Sequence, residues 1–333
     1  MAIEEVRRDS ACRAARAMIT ARVLEDKLRS LYKAGQIVGG VYLGRGQEAL
    51  SGVLGTQLTQ GQDVFAPLIR DQAGRTGFGE EILDVTRTYL GSVEGPMRGR
   101  DGNIHRGRPA DGMPAMISHL GSALSVVAGM LLARRLKGKL EGVVGATCIG
   151  DGGTSTGAFH EGLNLAAVEK LPMVVVVANN QYAYSTPNNR QFCGDLFDRA
   201  AGYGVQGWRA RGNSLEDCLT QVGGAVAAAR RGEGPQLVVA DLLRLGGHGE
   251  HDDGAYVGQD LKDSTLGRDC MEIAREELIE AGFIDEATWV SWEEEARSEV
   301  ADAVAQTQRE SLPNAHREDW RALKSIAMEG SFS

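Results

Sequence analysis

The chain has 333 residues, 42% of them hydrophobic, and a formal net charge of −9. It is long enough to bury a substantial core, and with no Lys/Arg cluster it offers no electrostatic footprint for nucleic acid. Five scattered cysteines without a C-x-x-C pair suggest neither a disulfide framework nor a cysteine zinc site and lead us to expect a reducing, cytoplasmic compartment, while a charged N-terminus and the lack of a long apolar run lead us to expect neither a signal peptide nor a membrane span.

From Arg7 to Lys33 apolar residues recur at intervals of three and four (Ala11, Ala15, Met18, Leu24, Leu28, Leu31), predicting a long helix stopped at Gly35. A glycine-laced loop, Gly39 to Gly46, carries Tyr42 and leads into a helix from about Gln47. Val64 to Ile69 reads as a short extended segment ending in Arg70, and Gly99 to His105 as a glycine and basic loop closed by a histidine. A turn at Ile117, Ser118, His119 and Leu120 precedes a helix of small residues to Ala133. Further on, Ser214 to Asp217 reads as a capping box for a helix ending at Arg231, Gln236 to Leu243 as a strand, and Leu266–Ala281 and Glu286–Arg309 as helices before a polar tail.

The centre is the most informative part. Val143 to Ile149 reads as a strand that ends in Gly150-Asp151-Gly152-Gly153; a helix from Thr154 to Lys170 follows, then the strand Met173 to Ala178, closed by Asn179-Asn180. In a right-handed strand-helix-strand unit both strand ends lie on one edge of the sheet, so Asp151 and Asn180 meet although far apart in sequence. A carboxylate and an amide oxygen beside glycines suit a hard cation holding a phosphorylated ligand. A dinucleotide fold is the rival, since Gly-rich strand-to-helix turns also carry pyrophosphate, but there is no clean G-x-G-x-x-G and no acid closing the second strand. The cluster His248, Glu250, His251, Asp252 and Asp253 also admits a zinc reading or a merely solvated loop.

Gly-Asp-Gly, this spacer and Asn-Asn form the thiamine diphosphate motif, and the run from Gly150 to Pro187 resembles the E1 alpha subunits of 2-oxo acid dehydrogenase complexes (pyruvate, branched-chain and acetoin). The resemblance implies an α/β thiamine diphosphate-binding fold, a mostly parallel sheet with helices on both faces, spanning 41–262 between helical extensions at 1–40 and 263–333. It implies thiamine diphosphate and Mg2+ as cofactors, the metal on Asp151, Asn180 and the carbonyl of Tyr182. Arg70, Ser118, Leu120, Gly150, Gly152, Gly153, Arg244 and His248 would hold the cofactor, with His248, Tyr42 and His105 as catalytic candidates.

The sequence departs from the family pattern in several places. Tyr42 stands where a histidine is frequent, Ile69 where a tyrosine precedes the arginine, and Ser122-Ala123 where potassium-binding relatives carry Thr-Gln. Gly249 replaces the serine phosphorylated in mitochondrial relatives, which excludes that modification, and Val257 stands where Tyr-Arg is usual. By the resemblance, the chain would work only with an E1 beta subunit, as α2β2, decarboxylating a 2-oxo acid and passing the acyl group to the lipoyl domain of an E2 acyltransferase. An acyloin synthase or transketolase-like carbon-carbon enzyme, and a degenerate non-catalytic scaffold, remain the alternatives.

Overall fold

A computed structural model describes residues 2–102, 104–314, 316–317 and 319–321. Asn103 of the glycine loop and the tail beyond residue 321 lie outside the described residues. The chain opens with α1 (Ala2–Lys33), longer by five residues than the periodicity predicts. Gly35, at φ 71°, ends it, with Gln36 N–H reaching back to the Leu31 carbonyl. Then come α2 (Glu48–Thr56), β1 (Val64–Ala66), α3 (Gln72–Phe78), α4 (Ile82–Leu90) and α5 (Ser122–Leu136).

The central unit is β2 (Gly145–Gly150), a short 3-10 turn over Asp151–Ser155, α6 (Gly157–Val168) and β3 (Met173–Asn179). The predicted helix from Thr154 thus starts later. Thr156, in extended backbone, caps α6 by accepting the N–H of Phe159 at 3.3 Å, a bond worth about 1 kcal/mol. A tight hairpin follows, β4 (Tyr182–Ala183) with β5 (Thr186–Pro187), then α7 (Arg199–Tyr203), β6 (Gln206–Arg211), α8 (Leu215–Arg230) and β7 (Gln236–Asp241). Ser214 caps α8 through Asp217 N–H at 3.1 Å, but the Asp217 carboxylate accepts from Arg211 N–H, so only half of the predicted capping box forms. The chain continues through α9 (Gln259–Lys262), α10 (Cys270–Glu280) and α11 (Glu286–Thr307).

The five main strands form one sheet in the order β1-β2-β3-β7-β6, every pairing parallel. All its strands but the edge strand β6 are buried on both faces, and the two-residue period divides their side chains between two cores. Val144, Ala146, Val174, Val176 and Val238 face a core shared with α1, α2, α8 and α10. Val175, Val177, Leu237 and Val239 face the one under α5 and α6. This is the predicted α/β fold with helices on both faces. A third cluster joins the C-terminal half of α1 (Leu24, Leu28, Leu31) to α4 and α11. Among the described residues no helix is long and apolar enough to cross a membrane.

Candidate active site

Register brings the chemistry together. Gly150 pairs with Ala178 and Asn179 with Asp241, so the residues that follow β2, β3 and β7 leave the same sheet edge. Asp151 (1% exposed) and Asn180 (6%) are both buried there. Asp151 Oδ1 accepts Gly152 N–H at 2.7 Å, while its Oδ2 is buried without a hydrogen-bond partner. Asn180 donates its amide to Gln47 Oε1 at 3.4 Å, which orients the group and leaves its buried Oδ1 without a partner as well. Burial pushes the Asp151 carboxyl up to about 6, against the N–H groups of Gly152 and Gln181 and the charge of Arg244. An unpaired buried polar atom costs about 1–3 kcal/mol, and two of them follow neighbouring strands at this edge. The Tyr182 carbonyl, bonded by Arg244 at 3.1 Å, keeps a second lone pair. One carboxylate, one amide oxygen and one carbonyl form an oxygen donor set of the kind magnesium takes.

Beside these atoms lies a cavity of about 150 Å3. Gly150, Gly152 and Gly153 line it, and so do Asn180, Tyr182 and Leu120. A Cβ on Gly152 would come within 2.4 Å of both Ala183 and Gln191 Oε1, so only glycine lets the turn close there. Two buried arginines, Arg70 (8% exposed) and Arg244 (4%), complete the polar wall. Arg244 donates to the carbonyls of Gly246, Tyr182 and Tyr184 and to the Tyr256 hydroxyl. Arg70 donates to the carbonyls of Leu43 and His248. Every one of these acceptors is neutral. Burial and then the charge of Arg244 lower the Arg70 guanidinium to about 10, because a buried cation beside a second cation is disfavoured.

His248 also lines the cavity. Its backbone N–H is taken by Asp252 Oδ2 at 2.5 Å, and Asp252 further accepts from Gly254 N–H and the Tyr256 hydroxyl. Although burial raises it, those bonds hold the Asp252 carboxyl at about 2, and the loop's backbone is thereby knitted by its own side chains. Arg29 of α1 pins the loop from outside through Glu250 at 2.8 Å. Among the described residues no three His, Cys, Asp or Glu side chains gather as a metal set, so the zinc reading of this loop has no geometric support.

Other predicted site residues lie apart. Tyr42 meets His248 edge-on at 5.4 Å and His251 at 6.3 Å between ring centroids, packed against the loop and outside the cavity wall. His105 pairs with Asp101 at 2.6 Å through Nδ1 and with Ser118 through Nε2, a surface relay that does not line the cavity. Gln47, Tyr184, Gln191 and Tyr256 escape the sequence reading. Gln47 directs Asn180, and Gln191 Oε1 is a further buried oxygen without a partner. The only local signal for Gln47 is its place after the tight loop, where Gly46 at φ 95° leaves 2.3 Å between a would-be Cβ and the Leu243 carbonyl.

Comparison with known proteins gives the family. The chain is 32% identical over 271 residues to the alpha subunit of acetoin:2,6-dichlorophenolindophenol oxidoreductase of Cupriavidus necator, covering 81% of this chain and 80% of that protein. It is 30% identical to the 2-oxoisovalerate dehydrogenase alpha subunit of Bacillus subtilis (81% and 82% covered) and 26% identical to the pyruvate dehydrogenase E1 component alpha subunit of Rickettsia bellii (89% and 90%). The dehydrogenase E1 component profile matches residues 15–316. With most of its length so matched, the chain belongs to the dehydrogenase E1 component family, as an alpha subunit of the thiamine diphosphate-dependent kind.

Proposed function

We propose that the chain is the diphosphate-holding half of a split E1 enzyme that decarboxylates a 2-oxo acid. The observation that carries this reading is the conjunction of opposites at one sheet edge: buried oxygens of Asp151 and Asn180 without partners, beside a cavity lined by two arginines whose partners are all neutral. A Mg2+ ion with a diphosphate satisfies both sets at once. Asp151, Asn180 and the Tyr182 carbonyl would hold the metal; Arg244 and Arg70 would supply charge to the phosphate oxygens; Gly150, Gly152 and Gly153 give the backbone clearance; Leu120 lines the same cavity, and Ser118, outside its wall, would be the outermost cofactor residue. When bound, thiamine diphosphate supplies the carbanion chemistry that breaks the bond to the carboxylate. His248, at the cavity wall, is the side chain placed to meet the substrate's oxygens, with Tyr42 packed edge-on against it.

The reading includes a beta subunit, in an α2β2 assembly, and a lipoyl domain of an E2 acyltransferase as acyl acceptor; the relatives named as E1 or alpha subunits support the first. A second reading, cleavage of an acyloin such as acetoin, draws on the name of the Cupriavidus relative. Supplying the purified chain, then the chain with its beta subunit, with Mg2+, thiamine diphosphate, a 2-oxo acid or acetoin and an artificial electron acceptor tests both. Turnover of a 2-oxo acid only with the beta subunit is expected. Turnover by the chain alone would refute the split site, and turnover of acetoin alone would select the second reading.

A further inference from the structure

His248 is gripped on several sides, and the grip determines more than its position. Arg70, from the segment after β1, donates Nη2–H to the His248 carbonyl at 2.6 Å and stands 3.3 Å from the ring's Nδ1. The same guanidinium donates through Nη1 to the Leu43 carbonyl at 2.8 Å, which anchors it from the opposite side. Tyr42 stands edge-on to the imidazole at 5.4 Å and Tyr184 lies tilted over it at 4.5 Å, so the ring has little freedom to turn. Asp252 holds the backbone N–H of the same residue.

An arginine has donors and no acceptor. Its contact with Nδ1 is therefore a hydrogen bond only when Nδ1 carries the lone pair, which in a neutral imidazole leaves the proton on Nε2. We propose that Arg70 is a positioning residue that fixes His248 as the neutral Nε2–H tautomer, so that the cavity is offered a hydrogen-bond donor for a substrate oxygen and not a base. The inference rests on the 2-oxo acid reading for its chemistry, since a carboxylate and a carbonyl oxygen are what such a donor would meet.

The surrounding charges act in the same direction. Burial first, then Arg70, Arg244 and His251, disfavour the imidazolium, while Asp252 opposes them, and the ring's pKa falls to about 4. Tyr256, the other titratable group of the loop close by, is held up at about 12, by burial and then by its bond to Asp252, and contributes no charge near neutrality. An ordinary histidine, with a pKa of about 6.5, changes charge across physiological pH; this one keeps a single form.

The full chain carries six histidines, so imidazole 15N labelling with His248→Gln as the assignment control isolates the one of interest. From about pH 5 to about pH 8 the ring is expected to stay neutral with the proton on Nε2. In Arg70→Met the Nδ1–H form should rise at least severalfold and the titration midpoint move up toward the ordinary value. Arg70→Lys, whose single ammonium cannot span the Leu43 carbonyl and the His248 ring as the two guanidinium nitrogens do, should fall between. An Nδ1–H ring or an imidazolium in the native chain at neutral pH overturns the proposal, and so does Arg70→Met with native circular dichroism and unchanged 15N shifts. Should Arg70→Met fail to fold, the native spectrum and Arg70→Lys decide. The measurement needs no cofactor, so its failure is separate from a failure of the functional reading, which cofactor calorimetry reports.

Discussion

Two groups of buried charge in this molecule are built from the same residue types and serve opposite ends. Around Glu80, Arg75 donates at 3.0 Å and Arg106 at 2.8 and 3.0 Å, and Gln72 bridges Arg106 and the carboxylate. Both guanidinium groups there share the one carboxylate. Around the cavity, Arg70 and Arg244 bond only neutral atoms, and the nearby carboxylate of Asp151 keeps an oxygen without a partner. A buried charge satisfied within the chain reports on folding; one left open at a cavity reports on a ligand, because selection for stability alone would have closed it.

The comparison breaks most visibly at Glu80. Glu80→Gln leaves two buried guanidinium groups without their anion and is expected to cost about 3–5 kcal/mol of stability, read as a large fall in melting temperature. Burial raises this carboxyl, but Arg106 and Arg75 outweigh it and bring it to about 2 from the ordinary 4.5. The sign follows: the stabilisation is whole above about pH 4.5 and drains as pH falls toward about 2. A variant whose acid unfolding matches the parent would show that the cluster carries no such linkage.

Glu25 sharpens the contrast from the other side. Its carboxyl, buried under the Tyr42 loop, accepts only the backbone N–H of Gly44 at 2.9 and 3.0 Å. Burial and then Glu48 raise it to about 8, against Gly44, Arg22 and Arg45. Its contribution is fully present below about pH 4.5 and is lost as pH rises through about 8. Glu25→Gln should therefore remove that slope and exceed the parent at pH 8 by on the order of 2 kcal/mol, in denaturant unfolding at two pH values. Parallel pH profiles of the two proteins would contradict the assignment.

In the open group the expected effect moves from stability to binding. Asp151→Ala removes an oxygen that nothing in the chain satisfies, so the free protein should melt within about 1 °C of the parent or above it. Cofactor affinity in the α/β assembly should fall at least tenfold, about 1.4 kcal/mol, by calorimetry with Mg2+ and thiamine diphosphate. Equal affinity, or a large loss of stability, would place Asp151 with Glu80 instead. The smallest effect is expected in the histidine loop. Because Asp252 already knits residues 248–256, cofactor should slow hydrogen exchange there only severalfold, concentrated at Gly246 and Gly247, where Arg244 would exchange carbonyls for phosphate. Identical exchange with and without cofactor would detach the loop from the site.

Much of this is legible in the sequence alone. The period of α1, the Val-rich run of β3 and the stops at Gly35 and Gly150 are local, and local pattern is what short-range sterics and burial write into sequence. β6 was not, because Gln206–Arg211 is an edge strand whose faces are largely exposed and carry no apolar alternation. The meeting of Asp151 with Asn180 could also be read, since a single right-handed crossover places two strand ends together whatever the rest of the chain does.

What only the tertiary structure decided is which atoms lack partners and which arginine touches which ring. Arg70 and His248 are 178 residues apart, joined by packing of three separate loops on the sheet edge, and Gln47 turns Asn180 across 133 residues. No periodicity or spacing encodes such pairs, because each depends on the summed placement of several elements. The sequence by itself determined the sheet and the central crossover that carries Asp151 and Asn180 to one edge; the closing of some charges and the opening of others arose only when loops from distant parts of the chain met over that edge.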